Sequence, residues 1–401
     1  MEGTGNHMGK DAQENWTNVA LLGQGLREAQ RNGADHIGVG YVVGPGTQDN
    51  AVIRTNDLAT GASFTARVEE GYKQFIDQSA QWLRENPNAD ISLMAVGFSR
   101  GAEQAAALTR LVHERGIHDP DGALYTRNSA GEITHVHYTR PPLVPPGQVA
   151  QSVLLFDPVG TGEPERHDRR LASSVLGGMQ ISARDEKRDP FPSTNVIPPG
   201  LSEDGRFLNT EVAGAHSNIG GSYAQNGLSN RSFNLAADYI NATAGGEPLL
   251  ARRHAQRDPT LDVVHRSENH RWCYATRDSE ANHGFRIRKE LINQEVCGAS
   301  TECFSRDPMD RALAARVPLG RVAAPAEQQV QTTGDINDLF IRLSDAAMAG
   351  DRAGMRAVVQ QYRESADGQA WLQTGRAEAA AQREAQAQQL VVPDTTPALY
   401  R

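Results

Sequence analysis

The chain of 401 residues holds only three cysteines, Cys273, Cys297 and Cys303, and no C-x-x-C pair. That excludes a zinc centre built on paired thiolates and a disulfide framework of the kind that staples small secreted domains. Cys297 and Cys303 would be able to bridge in an oxidising compartment, but free thiols are the expected state. No apolar run approaches the roughly 20 residues that span a bilayer. The opening Met-Glu-Gly-Thr-Gly-Asn has neither the basic nor the apolar stretch of a Sec signal peptide. Basic residues are in deficit, 40 Lys and Arg against 49 Asp and Glu, for a net charge of -9. The basic footprint of a nucleic-acid binder is therefore missing, as is long-range attraction to an anionic membrane.

What is present is a soluble, globular composition, 38% hydrophobic and 22% charged, in a chain long enough for one large domain and a small one. Helical spacing of apolar residues predicts helices over 17–31, 66–85, 100–115 and 229–242. Short apolar runs predict strands over His36–Val43, 91–97, 151–156 and 206–212. Helices alternating with short apolar strands indicate an α/β fold, a mostly parallel sheet with helices on both faces. The domain is expected over 1–321, with insertions at about 117–150 and 160–205. A linker at 322–334 follows, then a small helical appendage over 335–401 with a Gln/Ala-rich tail. Helix starts are expected at Asp335, Asp351 and near Asp367.

One stretch carries the chemistry. Gly97-Phe-Ser-Arg-Gly101 fits G-x-S-x-G between an apolar strand and an Ala-rich helix. This is the setting of a nucleophile elbow, with Ser99 at its apex. An activated serine needs a base, and the base needs an orienting acid, in the chain order Ser, acid, His. Asp157 ends the apolar run Val-Leu-Leu-Phe and is followed by a turn; His216 lies just past a strand in a Gly-rich loop. Read singly, Asp157 is as well explained as a turn residue and His216 as a loop histidine. The oxyanion hole would use the Arg100 N–H and a second donor from the early Gly-rich loop, Gly3 or Thr4. A metal site from His254, His265, His270 and His283 with Asp258 and Asp262 is the competing reading, but no spacing matches a ligand pattern.

Five blocks in order carry a resemblance: Glu2-Gly-Thr-Gly-Asn6, Gly38 to Thr47, Gly97-Phe-Ser-Arg-Gly-Ala102, Phe156-Asp-Pro-Val-Gly160, and His216-Ser-Asn-Ile-Gly-Gly-Ser-Tyr223. Together they resemble a bacterial and fungal family of α/β hydrolases that includes the phospholipase effectors of the type VI secretion system. Its usual patterns are F-D-G-T-x-N, G-F-S-R-G-A, D-T-V-G and H-S-D-V-G-G-G-Y. The resemblance implies Ser99 as nucleophile, His216 as base and Asp157 as acid. Met1-Glu2 stands where the family has a strand ending in Phe-Asp, so either the chain begins late or the first sheet strand is absent, which makes the second oxyanion donor the least fixed of these residues. Asn218 replaces the usual Asp, and an amide cannot be the anionic orienter.

The resemblance implies a serine ester hydrolase needing no cofactor or metal, with a glycerophospholipid as substrate. It also implies export by a dedicated secretion system, action at the membrane surface of a target cell, and a cognate immunity protein as partner. An intracellular carboxylesterase on small esters, or a degenerate hydrolase used as a binding module, are the alternatives.

Overall fold

The computed structural model describes residues 1–245, 247–253, 259–269, 276–291, 307–317, 342, 351–365 and 369. The chain divides into two compact units, Met1–Ala324 and Pro325–Arg401.

The first unit opens with three helices, α1 (Asn18–Arg31), α2 (Ala51–Thr60) and α3 (Phe64–Glu85). α1 starts where Thr17 Oγ1 accepts the Ala20 N–H at 3.1 Å, satisfying one of the orphan donors of the first turn. α3 buries Val68, Tyr72, Ile76 and Ala80, a stripe spaced by four residues. Next come β1 (Ser92–Phe98) and α4 (Arg100–Arg115). β2 (Ile117–His118), β3 (Ala123–Arg127), β4 (Ile133–Tyr138) and β5 (Pro142–Val144) then form two antiparallel pairs, β2 with β5 and β3 with β4. The excursion 117–150 is thus a small β structure packed on α3 through Tyr138.

β6 (Ala150–Phe156), β7 (Val175–Ala183), β8 (Ser193–Asn195), β9 (Gly200–Leu201) and β10 (Phe207–Val212) follow, then α5 (His216–Gly220) and α6 (Gly227–Ala244). The main sheet has the order β1-β6-β7-β10-β9, parallel except for the short edge strand β9. One core forms between the sheet and α3 and α4, from residues such as Tyr72, Ala105, Val153 and Leu155. The other forms on the opposite face with α1 and α6, from Leu22, Leu154, Phe156, Ile181 and Phe233. Leu154 and Leu155 point to opposite cores, which is why β6 reads as an unbroken apolar run. The α/β fold with helices on both faces is therefore present.

Three features differ from the sequence reading. The segment 160–205, expected as an insertion, contains β7 at the centre of the sheet. Its Leu-Gly-Gly-Met-Gln-Ile-Ser does not read as a core strand, yet a Cβ on Gly178 would come within 2.6 Å of Val153 Cγ2. Val153 is the partner of Gly178 on the adjacent strand β6, and glycine leaves room there for the side chains of Val153 and Ile197. α2 was not anticipated either, although Asn50 caps it through Oδ1 and Gly61 ends it with φ 71°. Its buried face carries Asp57 rather than an apolar stripe. That carboxylate takes hydrogen bonds from Gly46 N at 2.6 Å and Ser63 N at 2.7 Å.

The third correction concerns His36–Val43, which forms no ladder strand. On the side of β1 away from β6, the described residues place Met1 and Glu2: the Met1 amino group donates to Val96 O at 2.7 Å, Phe98 N to Met1 O at 3.2 Å, and Glu2 N to Val42 O at 3.0 Å. Residues 1–2 are thus wedged between β1 and residue 42, and the extended segment beyond gains one backbone bond there instead of a ladder.

Among the described residues this unit also holds the short elements α7 (Arg277–Ala281), β11 (Arg288–Glu290), which pairs in parallel with β8, and α8 (Arg311–Arg316). In the second unit α9 (Arg352–Glu364) is capped by Asp351, as its sequence predicts, with Oδ1 accepting Ala353 N at 3.0 Å. The expected linker, the helix starts at Asp335 and Asp367, the Gln/Ala tract and the three cysteines lie outside the described residues. Among the described residues no helix is long and apolar enough to cross a membrane.

Candidate active site

In an open parallel sheet, ligand sites gather at the carboxyl ends of the strands. Here the ends of β1 and β6 carry Ser99 and Asp157, and His216 follows β10.

Ser99 sits at φ 58°, ψ −127°, backbone geometry that costs a non-glycine residue of order 1–3 kcal/mol and persists only when the surroundings enforce it. The enforcement is visible. Ser99 N donates to Phe156 O at 3.0 Å, and Ser99 O accepts from Ala102 N at 3.0 Å and Val159 N at 3.4 Å. The flanking glycines are obligatory: a Cβ on Gly97 would lie 2.1 Å from Gly101 O, and one on Gly101 would lie 2.3 Å from Glu2 O.

Asp157 is fully buried and also has a positive φ, 44°. Its Oδ2 is 2.5 Å from His216 Nδ1. Its Oδ1 accepts from Ala183 N at 2.8 Å and from Arg286 Nη1 at 2.5 Å. Burial works against the carboxylate, but the Arg286 guanidinium and His216 outweigh it and hold the group well below the usual carboxylate range. An ionised carboxylate only accepts, so Nδ1 carries the proton and Nε2 is left as the basic nitrogen.

His216 opens α5, where its N–H donates to Glu186 Oε2 at 3.2 Å. Its ring lies against Phe98, centroids 4.6 Å apart, and Phe191, 5.1 Å apart. Burial pushes the imidazole below its ordinary value; Asp157 opposes this, while Arg188 and Arg286 add to it. The imidazole is thus favoured in its neutral form, the form a general base needs. Ser99 and His216 are nearly enclosed, 5% and 4% exposed. No hydrogen bond joins Ser99 Oγ to His216 among the described residues, and such contacts often tighten only with substrate.

The early loop adjoins the elbow because Met1 and Glu2 run beside β1. A Cβ on Gly3 would lie 2.7 Å from the Phe98 ring, and Thr4 Oγ1 accepts from Arg100 Nη1 at 3.1 Å. The Gly3 N–H is turned to the Glu2 carboxylate. The N–H groups of Thr4 and Arg100 have no acceptor among the described residues. The Arg100 side chain does a second job: it also donates to Leu58 O at 2.9 Å, Ala59 O at 3.1 Å and Thr161 O at 3.0 Å. It thereby ties the early loop, the last turn of α2 and the loop after Asp157 to the elbow.

Sequence reasoning missed Arg286, Glu186 and Arg188. Arg188 is held in two bonds by Glu186, Nε–Oε1 at 2.9 Å and Nη2–Oε2 at 2.8 Å. These residues sit in polar stretches with no motif, so no sequence signal singles them out. Among the described residues no group of three His, Cys, Asp or Glu is placed to hold a metal ion. His265 packs on Tyr223 and His283 is exposed, while His254, His270 and Asp258 lie outside the described residues.

Asn218 has a structural role. Its Oδ1 accepts from Ala215 N at 3.1 Å and His265 N at 2.9 Å, and its Nδ2 donates to Val263 O at 2.9 Å. An aspartate keeps the two acceptor contacts but sets a negative oxygen against the Val263 carbonyl. Asn218→Asp is expected to cost about 1–3 kcal/mol, measured as a lower urea midpoint; an unchanged midpoint would contradict this role.

Residues 1–139 match the family model described as "T6SS, Phospholipase effector Tle1-like, catalytic domain". The resemblance read from the sequence blocks is shown on that segment, which includes the elbow; the blocks of Asp157 and His216 lie beyond it. Among solved structures, "Structure of the Tle1 effector bound to the VgrG spike from the Type 6 secretion system" is 22% identical. Its TM-score is 0.29, and the match covers 46% of this chain and 35% of that one. "Crystal structure of an uncharacterized protein from Pseudomonas aeruginosa" is 14% identical with a TM-score of 0.25, over 56% of this chain and 36% of that one. The chain thus spans about a third of the length of each of these structures. No curated protein matches.

Proposed function

We propose that this protein is a serine ester hydrolase of the phospholipase-effector kind, with Ser99 as nucleophile, His216 as base and Asp157 as its orienting acid. The observation that carries the reading is the Asp157–His216 contact of 2.5 Å at the strand ends beside a strained serine. A binding module has no need of that combination. The family match over residues 1–139 supports the phospholipid substrate.

Ser99 Oγ attacks the ester carbonyl as its proton passes to His216 Nε2. The oxyanion that forms lies toward the N–H groups of Arg100 and Thr4, the donors left open, and such donors are usually the largest single catalytic contribution. Collapse expels the lysophospholipid alkoxide, which takes the proton from His216. Water then attacks the acyl-enzyme with His216 again as base, releasing the fatty acid and restoring Ser99. Asp157 stays ionised throughout and stabilises the imidazolium. On this reading the protein is exported by a dedicated machine, acts on the membrane of a target cell and is neutralised at home by an immunity protein.

The test is hydrolysis of phospholipid vesicles and of short soluble esters by the wild type, with Ser99→Ala as control. Fatty acid released from vesicles only by the wild type supports the phospholipase. Turnover of short esters alone moves the assignment to a carboxylesterase. Equal activity in wild type and variant removes Ser99 from the mechanism.

A further inference from the structure

We propose that Arg286 is a positioning residue for the triad, the group that holds the Asp157 carboxylate in register with His216. This rests on the reading of Ser99, His216 and Asp157 as catalytic.

Arg286 arrives from 129 residues away in sequence, carried in by the parallel pairing of β11 with β8. It is buried, with its side chain 2% exposed. Nε donates to Phe191 O at 2.8 Å, and Nη1 donates to Asp157 Oδ1 at 2.5 Å and Ala183 O at 3.3 Å. A carboxylate held by one backbone N–H is free to turn about its Cβ–Cγ bond. Two donors converging on Oδ1, from Ala183 N and Arg286, lock the plane and leave Oδ2 for Nδ1 alone. The same guanidinium grips Phe191 O, so the ring that packs on His216 is placed by the residue that places its acid.

The electrostatics follow from the charges around His216. They are Asp157 from the end of β6, Glu186 and Arg188 from the loop after β7, and Arg286 from the segment before β11. Glu186 and Arg188 neutralise each other. Burial is the main reason that protonation of the imidazole is disfavoured; Asp157 favours the charged ring, and Arg188 and Arg286 offset part of that pull.

The experiment uses the full chain as wild type, Arg286→Met and Arg286→Lys. His216 is titrated by NMR with labelled histidine, and kcat and KM on a soluble ester are followed against pH. In the wild type, burial is expected to hold the His216 titration below its ordinary value. Arg286→Met is expected to raise that titration, and the acidic limb of kcat/KM with it, by about one pH unit. It should lower kcat about 10- to 100-fold through misplacement of the acid, with little change in KM. Arg286→Lys keeps the charge but not the fork, so its limb stays in place while kcat falls. An unmoved His216 titration in Arg286→Met overturns the proposal. Should that variant not fold, a wild-type kcat in Arg286→Lys overturns it. A shifted His216 titration in a protein that hydrolyses nothing refutes the hydrolase reading and the positioning role in catalysis with it, leaving Arg286 only as the structural partner of Asp157.

Discussion

Asp157→Asn is expected to lower kcat about 10⁴-fold, and Ser99→Ala about a millionfold, each with the fold intact. The asparagine result follows from the partners of Oδ1. Ala183 N and Arg286 Nη1 both donate to that position, so the amide must place its oxygen there. Its NH₂ then faces His216 Nδ1, which becomes an acceptor, and the imidazole proton moves to Nε2. A base protonated at Nε2 cannot take the proton of Ser99. The change is nearly isosteric but takes the charge from the buried pair with Arg286, so the unfolding midpoint should fall while turnover collapses far beyond what the lost stability explains. On the proposed mechanism, Ser99→Ala removes the nucleophile and leaves only binding and oxyanion stabilisation. Burst kinetics and denaturation on the same preparations check both; a loss under tenfold in Asp157→Asn would mean that another acid serves His216.

Arg169→Met should be the most destabilising single substitution behind the site. Arg169 Nη1 lies 2.8 Å from Glu103 Oε2, and the two side chains are 5% and 0% exposed. Glu103 lies in the first turn of α4, where its N–H donates to Ser99 O at 3.4 Å, and its Oε1 has no hydrogen-bond partner among the described residues. Removing the arginine strands a carboxylate in the core, and breaking a buried pair from one side costs about 3–5 kcal/mol. The pair as a unit contributes far less, because desolvation of both charges offsets their attraction. Urea denaturation should therefore show a large loss for Arg169→Met and recovery of most of it in Glu103→Leu/Arg169→Met. Equal losses in the single and double variants would show that packing, not charge, is what the arginine supplies.

How much of this was legible beforehand depended on the range of the interactions involved. Local rules decided the helices from 17, 66, 100 and 229 and the capped start at Asp351, because spacing and caps act within a few residues. The elbow was legible for the same reason: Gly97 and Gly101 are demanded by backbone contacts of the turn itself and by the adjacent early loop. The order Ser99, Asp157, His216 was visible, but each of the last two was ambiguous alone.

Tertiary structure decided the rest. It brought Asp157 and His216 to 2.5 Å across 59 residues, something no local pattern encodes. It made Leu-Gly-Gly-Met-Gln-Ile-Ser a central strand, since a strand covered on both faces is chosen by the space its neighbours leave. It left His36–Val43 without a ladder, since a strand exists only with a partner. Above all it delivered Arg286 to the acid. A buried guanidinium is recognised by what surrounds it, and the sequence around Arg286 contains none of the atoms it binds except through the folded chain.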